Sequence, residues 1–433
     1  MQINGWGRYP KIESDILRPL SVTQCADELS NAGSVIARGL GRSYGDSSLA
    51  ENVISTRFLD HYLAFDDAKG ILTCSSGVSL HDILHNFAPR GWFLPATPGT
   101  RFVTVGGAIA SDVHGKNHHI EGSFCDHVTN MELLLGNGEK VIVSPTENPD
   151  LFHATCGGMG LTGIILSATF CMKPIRSSQI IETTIKASDL DAVLASFEEH
   201  AKATYSVAWI DCLARGRQLG RSLLMLGEHA TEGTLFVRPN KQLPVPCDMP
   251  NGLLNYSTIK LFNMLYYAKA SNMRQVRHIP FESFFYPLDA LANWNRLYGK
   301  SGFVQYQFVL PRASGITGLR TILEQIAASG RGSFLAVLKV FGKGNDNLLS
   351  FPTEGYSLAL DFKAEPDVLR LLDDLDKLVL DYGGRIYLTK DARMSETTFK
   401  SCYPRWQEFE DIRGHFHATG KFASLQSRRL GLQ

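Results

Sequence analysis

Between Pro95 and Cys125 the chain reads PATPGTRFVTVGGAIASDVHGKNHHIEGSFC, and the side chains most able to do chemistry crowd its second half. His114, Lys116, Asn117, His118 and His119 follow a Pro98-Gly99-Thr100 turn, the pair Gly106–Gly107 and a run of small residues with alternating apolar character. Glycine lets backbone amides approach a bulky ligand that a Cβ would hold away. The polar cluster then supplies donors and proton carriers beside that ligand. His114, between the small-residue run and a glycine, is the best catalytic candidate on these grounds, whereas His118 and His119 read equally well as hydrogen-bonded loop residues.

Two further glycine loops fall in the first part of the chain. Arg38-Gly39-Leu40-Gly41-Arg42-Ser43-Tyr44-Gly45-Asp46 follows a β-like run, SVIA, and its amides are able to converge on a pyrophosphate. Its spacing, G-x-G-x-x-x-G, misses the Rossmann fingerprint, and it lacks the G-K-[ST] of a P-loop. Gly157-Gly158-Met159-Gly160-Leu161-Thr162-Gly163 leads into a strand and, alone, reads as a bulge or hairpin. Three such loops in one region fit an extended dinucleotide better than three unrelated turns.

The elements around these loops predict an α+β fold in two domains. Short β-like runs (SVIARGL, GILTCSSGVSL, MELLLGNGEKVIVSP, GLTGIILSATFCMKPI) alternate with helix candidates at Val22–Ala32 and Leu80–Ala88. Residues 1–175 form the expected cofactor domain, completed by a helical tail over 392–433; residues 176–391 form the second domain. There, strands at Tyr205–Leu213, GFVQYQFVLP, SFLAVLKVFG and YSLALDF accompany helices at Leu190–Ala201, Gly315–Ser329 and Glu365–Tyr382. That pattern predicts an antiparallel sheet with helices on one face. A Pro/Asn/Gly-rich stretch over 239–253 interrupts it.

Composition narrows the function classes. With 43 basic against 43 acidic residues, the chain has no global attraction to nucleic acid. Eight scattered cysteines without a C-x-x-C pair read as reduced, mostly buried thiols, with no metal site. The N-terminus lacks a basic segment followed by an apolar one, and no 18-residue apolar run exists, so a cytoplasmic protein without signal peptide or transmembrane segment is expected. The least polar long stretch, Leu253–Ala270, reads as a half-buried helix or as a surface that touches lipid or a lipid-linked substrate.

ARGLGRSYGD, PATPGTRFVTVGGAIASDVHGKNHH and GGMGLTG together resemble the FAD-binding (PCMH-type) domain of vanillyl-alcohol-oxidase-type flavoproteins. Within that superfamily the chain is most similar to the flavin oxidase subunits of decaprenylphosphoryl-ribose 2-epimerases. FFYPLD, WNRLYG, VQYQF, SFPTEGYSLALDF, GGRIYLTKDAR and FASLQSRRL extend the resemblance over nearly the whole chain. Many superfamily members link FAD covalently to a histidine in G-x-G-H-S; here that position is Arg42, which implies non-covalent FAD.

The resemblance implies a site residue by residue. Ala37, Arg38, Gly39, Leu40, Gly41, Arg42, Ser43, Tyr44, Gly45, Asp46 and Ser47 should hold FAD, with Gly99, Thr104, Val105, Gly106, Gly107, Ser111, Asp112, Val113, His114, Gly115, Gly160, Ile164 and Tyr387. His114 and Lys116 should stand beside the flavin ring, and Gln307, Lys339 and Lys390 should line the substrate pocket with Tyr44, Ser357, Ala359 and Asp361. Read without the resemblance, Lys339 is a solvated strand residue and Lys390 a surface partner of Asp391. Mycobacterial members carry Asn and Cys where Ser357 and Ala359 stand, so this chain lacks a thiol that electrophilic inhibitors could trap.

The implied reaction is oxidation of the ribose 2-hydroxyl of a polyprenylphosphoryl-ribose to a 2-keto sugar, with Lys390 or a water relayed to His114 as base. An NAD(P)H-dependent keto-reductase would complete epimerisation to the arabinose, and a quinone or oxygen would reoxidise the flavin. A lipid-linked substrate also implies peripheral contact with the inner face of the plasma membrane. The alternatives are a soluble sugar-lactone or alditol oxidase, a flavin reductase acting on an enolpyruvyl sugar, and a flavoprotein that only carries electrons.

Overall fold

In the computed structural model, which describes residues 1–237, 242–250, 252–270 and 272–432, period-two alternation builds the sheet on which the site rests. Its eight strands all pair antiparallel, in the order Arg274–Pro280, Gln179–Ala187, Ser222–His229, Tyr205–Ile210, Ala336–Phe341, Gly355–Lys363, Phe303–Pro311 and Arg385–Ile386. Helices Leu190–Glu199, Arg312–Ser329 and Pro366–Asp381 pack against one face. Leu319, Ile322, Leu323 and Ile326 recur at helical spacing and are buried with Leu358 and Leu360 of the sheet. The opposite face carries Gln305, Gln307, Val337, Lys339, Ser357 and Ala359 toward a cavity. The expected antiparallel sheet with helices on one face is therefore what forms.

Ahead of it lie a three-stranded parallel sheet (Asp15–Leu17, Asn52–Ser55, Ile36–Arg38) and a five-stranded antiparallel one. The latter runs Lys140–Val143, Val128–Leu134, Ile164–Cys171, Ile71–Ser75 and Tyr62–Asp66. Helices Val22–Asn31 and Leu80–Phe87 start where Ser21 and Ser79 accept backbone N–H bonds. The small-residue run that read as alternating is instead a helix, Val105–Ala110, capped by Thr104 Oγ1, which accepts the Gly107 N–H at 3.1 Å. Of the stretch 239–253, residues 239–241 and 251 lie outside the described residues, as does Gln433 of the tail. Six of the eight cysteines are buried; Cys247 is exposed and Cys171 half-buried.

The tail returns to the N-terminal sheets. The Val35 N–H donates to the Lys421 carbonyl, and Arg429 pairs with Asp46 at 2.8 Å and Asp391 at 2.9 Å. Arg413 is wholly buried: Nε and Nη2 donate to the Leu161 and Phe422 carbonyls, each at 2.9 Å, and Nη1 pairs with Glu410. Arg413→Met should leave the two buried carbonyls without this donor, destabilising the protein by roughly 3 kcal/mol. A thermal melt reads this as a lowered midpoint; an unchanged midpoint would contradict it.

Candidate active site

A cavity of about 710 Å³ separates the glycine loops from the bare face of the eight-stranded sheet. Ala37, Arg38, Gly39, Leu40, Gly41, Arg42, Ser43, Tyr44 and Ser47 line one side, joined by Gly99, Thr104, Gly106, Gly107, Ser111, Val113 and Gly160. His114, Lys116, Gln307, Lys339, Ser357, Ala359, Tyr387 and Lys390 line the other. The size suits a bound organic molecule.

Whether these residues fit a dinucleotide can be tested on the walls themselves. A Cβ on Gly39 would sit 2.3 Å from Thr104 Oγ1, and one on Gly106 would sit 2.9 Å from Ser76 Cβ, whereas Gly99 faces open space. Ser76 Oγ and His114 Nδ1 are buried at the wall with no hydrogen-bond partner among the described residues. Polar groups left so call for a polar ligand. The loop 38–44 is itself held in place: Arg38 Nη1 donates to Ser48 and Nη2 to the Asn4 carbonyl at 2.7 Å, and the Arg42 guanidinium lies 3.9 Å above the Trp6 ring. An extended, polar, aromatic ligand such as FAD fits this wall.

Seven of the residues implied by the resemblance stand outside the lining, Gly45, Asp46, Val105, Asp112, Gly115, Ile164 and Asp361, as do Asn117, His118 and His119 of the polar cluster. Their places have physical reasons. A Cβ on Gly45 would meet the Asp391 carbonyl at 1.7 Å, so that glycine permits close chain packing. Asp46 pairs with Arg429, and Asp112 accepts from Asn345, Asn347 and Ser350. A Cβ on Gly115 would crowd Asn117 Oδ1, and Val105 and Ile164 are core residues.

The sheet register assembles the polar centre. Gln307 stands opposite Ala359, and Lys339 opposite Ser357. Gln307 Nε2 lies 3.1 Å from His114 Nε2 and 3.3 Å from Ser357 Oγ, so the amide reaches both. As the donor to His114 Nε2, Gln307 assigns the imidazole proton to Nδ1. Tyr387 donates its hydroxyl proton to the Ser111 carbonyl at 3.0 Å, tying the tail of the sheet domain to the loop ahead of His114. The Lys390 ammonium lies 3.7 Å above the Tyr44 ring, and Lys116 donates to the Phe284 carbonyl. The fully buried Asp361 accepts from Gln305 Nε2, while its Oδ2 has no partner among the described residues. Asp391 is taken by Arg429 instead of Lys390.

Enclosure sets the charges. Lys116, Lys339 and Lys390 keep some exposure because they face the cavity, but protein surrounds them, and that enclosure governs their protonation. Desolvation, with Lys339 nearby, lowers Lys116 to about 7; desolvation alone lowers Lys339 to about 8. Desolvation also lowers Lys390, opposed by the Asp361 carboxylate and reinforced by Lys339, and it raises Asp361 in turn. His114 is pushed well down by desolvation and then by Lys339, His118 and Lys390. The site is thus a cluster of amines and a neutral imidazole, short of countercharge.

Trp209, Glu182, Arg277 and Gln305 also line the cavity and were not singled out from sequence. Gln305 had a signal, since it alternates with Gln307 on one strand face. Nothing in the local pattern marks the other three.

Comparison with known proteins agrees with this geometry. The family described as "FAD binding domain" matches residues 16–144. Over its full length the chain is 39% identical to decaprenylphosphoryl-β-D-ribose oxidase of Mycolicibacterium smegmatis, covering 97% of that protein. An uncharacterized Streptomyces coelicolor protein is 33% identical over 82% of this chain and all of its own length. L-gulonolactone oxidase 2 of Arabidopsis thaliana is 25% identical over 44% of this chain and 33% of that protein. Full-length identity at this level, on a cavity walled by glycine loops, places the chain in the decaprenylphosphoryl-β-D-ribose oxidase family of vanillyl-alcohol-oxidase-type flavoproteins, as an FAD-dependent oxidoreductase.

Proposed function

We propose that the protein oxidises the 2-hydroxyl of a polyprenylphosphoryl-β-D-ribose to the 2-keto sugar, the first half of epimerisation to the arabinose. The observation that carries this reading is the trio Lys116, Lys339 and Lys390 around Gln307 and His114 in one cavity. FAD, when bound, supplies the two-electron acceptor for the hydride leaving C2. Lys390 takes the hydroxyl proton, because its lowered pKa leaves a neutral amine available near neutrality. His114 is the weaker base: its Nε2 lone pair is engaged by Gln307. Lys339, at about 8, is already largely cationic near neutrality, and Lys116, at about 7, becomes so when the substrate phosphodiester supplies the countercharge. Gln307 and Ser357 orient the sugar hydroxyls, and Ala359 opposite Gln307 supplies no thiol beside them.

The finer assignments belong to the same reading. Of the residues implied by the resemblance, 37–44, 47, 99, 104, 106, 107, 111, 113, 114, 160 and 387, all on the cavity wall, hold FAD through backbone and side chain. Residues 1–175 with 392–433 form its domain and 176–391 the substrate domain, a division supported by the FAD-domain match at 16–144 and the eight-stranded sheet over 179–386. An NAD(P)H-dependent reductase consumes the keto product, and a quinone or oxygen accepts the electrons. No helix among the described residues is long and apolar enough to cross a membrane, so a cytoplasmic enzyme would meet its lipid substrate at the membrane's inner face.

Turnover with an artificial electron acceptor tests the reaction. The product should have lost two hydrogens and should give the arabino epimer on borohydride reduction; oxidation of free alditols in its place would overturn the reading. Arg42, at the position of the flavin-linked histidine of other members, carries a second prediction. Acid precipitation should release all the flavin into the supernatant, and a yellow pellet would contradict non-covalent binding.

A further inference from the structure

The helix Tyr256–Ala268 presents apolar side chains on both of its faces. Its inner face holds the buried Ile259 and Asn263 and the half-buried Tyr266, whose ring centroid lies 4.7 Å from that of Trp209. The Asn263 amide donates to Asp211 at 2.8 Å. These contacts fix the helix at the rim of the cavity, which Tyr266, Lys269 and Ala270 help to line. Its outer face carries Leu261, Met264 and Leu265, 52%, 50% and 60% exposed at i, i+3 and i+4. Surface helices ordinarily place polar residues there, and contiguous exposed apolar side chains mark an interaction surface.

Charge identifies the occupant. Residues 249–281 contain Lys260, Lys269, Arg274 and Arg277 and no aspartate or glutamate, although the whole chain balances 43 against 43. Arg277 pairs with Glu182 of the cavity wall; Lys260, Lys269 and Arg274 are exposed. Met273, between this helix and the strand Arg274–Pro280, is 69% exposed. An apolar stripe flanked by cations and free of anions complements a bilayer with anionic headgroups.

We propose that the outer face of this helix seats on the surface of an anionic bilayer, with Leu261, Met264 and Leu265 among the acyl chains. The cavity rim beside the helix, lined by Trp209, Leu223, Met225, Tyr266 and Ala270, then gives a prenyl chain an apolar path inward from that surface. This path rests on the lipid-linked substrate proposed above; the membrane contact itself rests on exposure and charge.

Flotation of the FAD-loaded protein with vesicles tests the contact. Phosphatidylcholine vesicles containing phosphatidylglycerol should carry the protein upward, less so as salt rises, and pure phosphatidylcholine should carry little. The triple variant Leu261→Ser, Met264→Ser, Leu265→Ser should bind roughly tenfold more weakly or worse. It should keep its FAD and oxidise a water-soluble short-prenyl phosphoryl-ribose at the parent rate. Equal binding by parent and triple variant, or no binding by the parent, would overturn the proposal. So would a parent that ignores vesicles yet docks a reductase protein through these residues. If the triple variant loses FAD, the pair Lys260→Glu with Arg274→Glu carries the test, and unchanged vesicle binding overturns it. Failure of the parent to oxidise the soluble substrate strikes the reaction reading alone.

Discussion

Lys390→Met should lower the rate of substrate oxidation about a thousandfold while FAD stays bound. The ammonium lies over the ring of Tyr44, in the first glycine loop, and beside the buried Asp361. Its loss removes the proton acceptor and little of the wall. The pH profile reports the same group. A base must be unprotonated to work, so the rate should rise with pH through the Lys390 pKa and then level off. Because desolvation has lowered that pKa, the rise should fall well below the usual lysine range near about 10.4. Asp361→Asn removes the anion that favours the ammonium, so the rise should move to still lower pH. A full rate in Lys390→Met, or an acid limb that ignores Asp361→Asn, would remove Lys390 from the role of base.

Gly39→Val should yield a folded protein that purifies without flavin. Its Cβ would stand 2.3 Å from Thr104 Oγ1, the atom that accepts the Gly107 N–H and starts the helix Val105–Ala110. Either the loop 38–44 or that helix must shift, and both line the cavity. Thr104→Ala separates the two effects: it loses only the cap, about 1 kcal/mol, and should retain more flavin than Gly39→Val. Flavin absorbance per protein reads both; a fully loaded Gly39→Val would show that this wall does not hold the cofactor.

Much of this fold could be read from sequence because its elements obey simple periods. Ser21 and Ser79 cap helices whose apolar residues recur correctly, and the run YSLALDF falls within the strand Gly355–Lys363. The helix Val105–Ala110 was missed because glycine and alanine carry no strong period, and only the Thr104 cap gave a sign of it. The site was legible where glycines marked it and opaque where burial decides. Lys339 looks like any strand lysine until the sheet face it occupies proves to be a cavity wall. Lys390 seems paired with its neighbour until Arg429, far along the chain, takes Asp391. Gly45 shows the opposite error: it belongs to a glycine loop, yet its smallness serves packing on Asp391. Glu182 and Trp209 reach the site only through strand pairing that no local pattern encodes.

The central claim is tested most directly by an anaerobic titration of the FAD-loaded protein with polyprenylphosphoryl-ribose, followed at the flavin absorbance band. Stoichiometric bleaching by the lipid-linked ribose, with none from free alditols or sugar lactones, is the predicted result. Bleaching by a soluble polyol, lactone or NADPH, with the lipid-linked ribose inert, would contradict it.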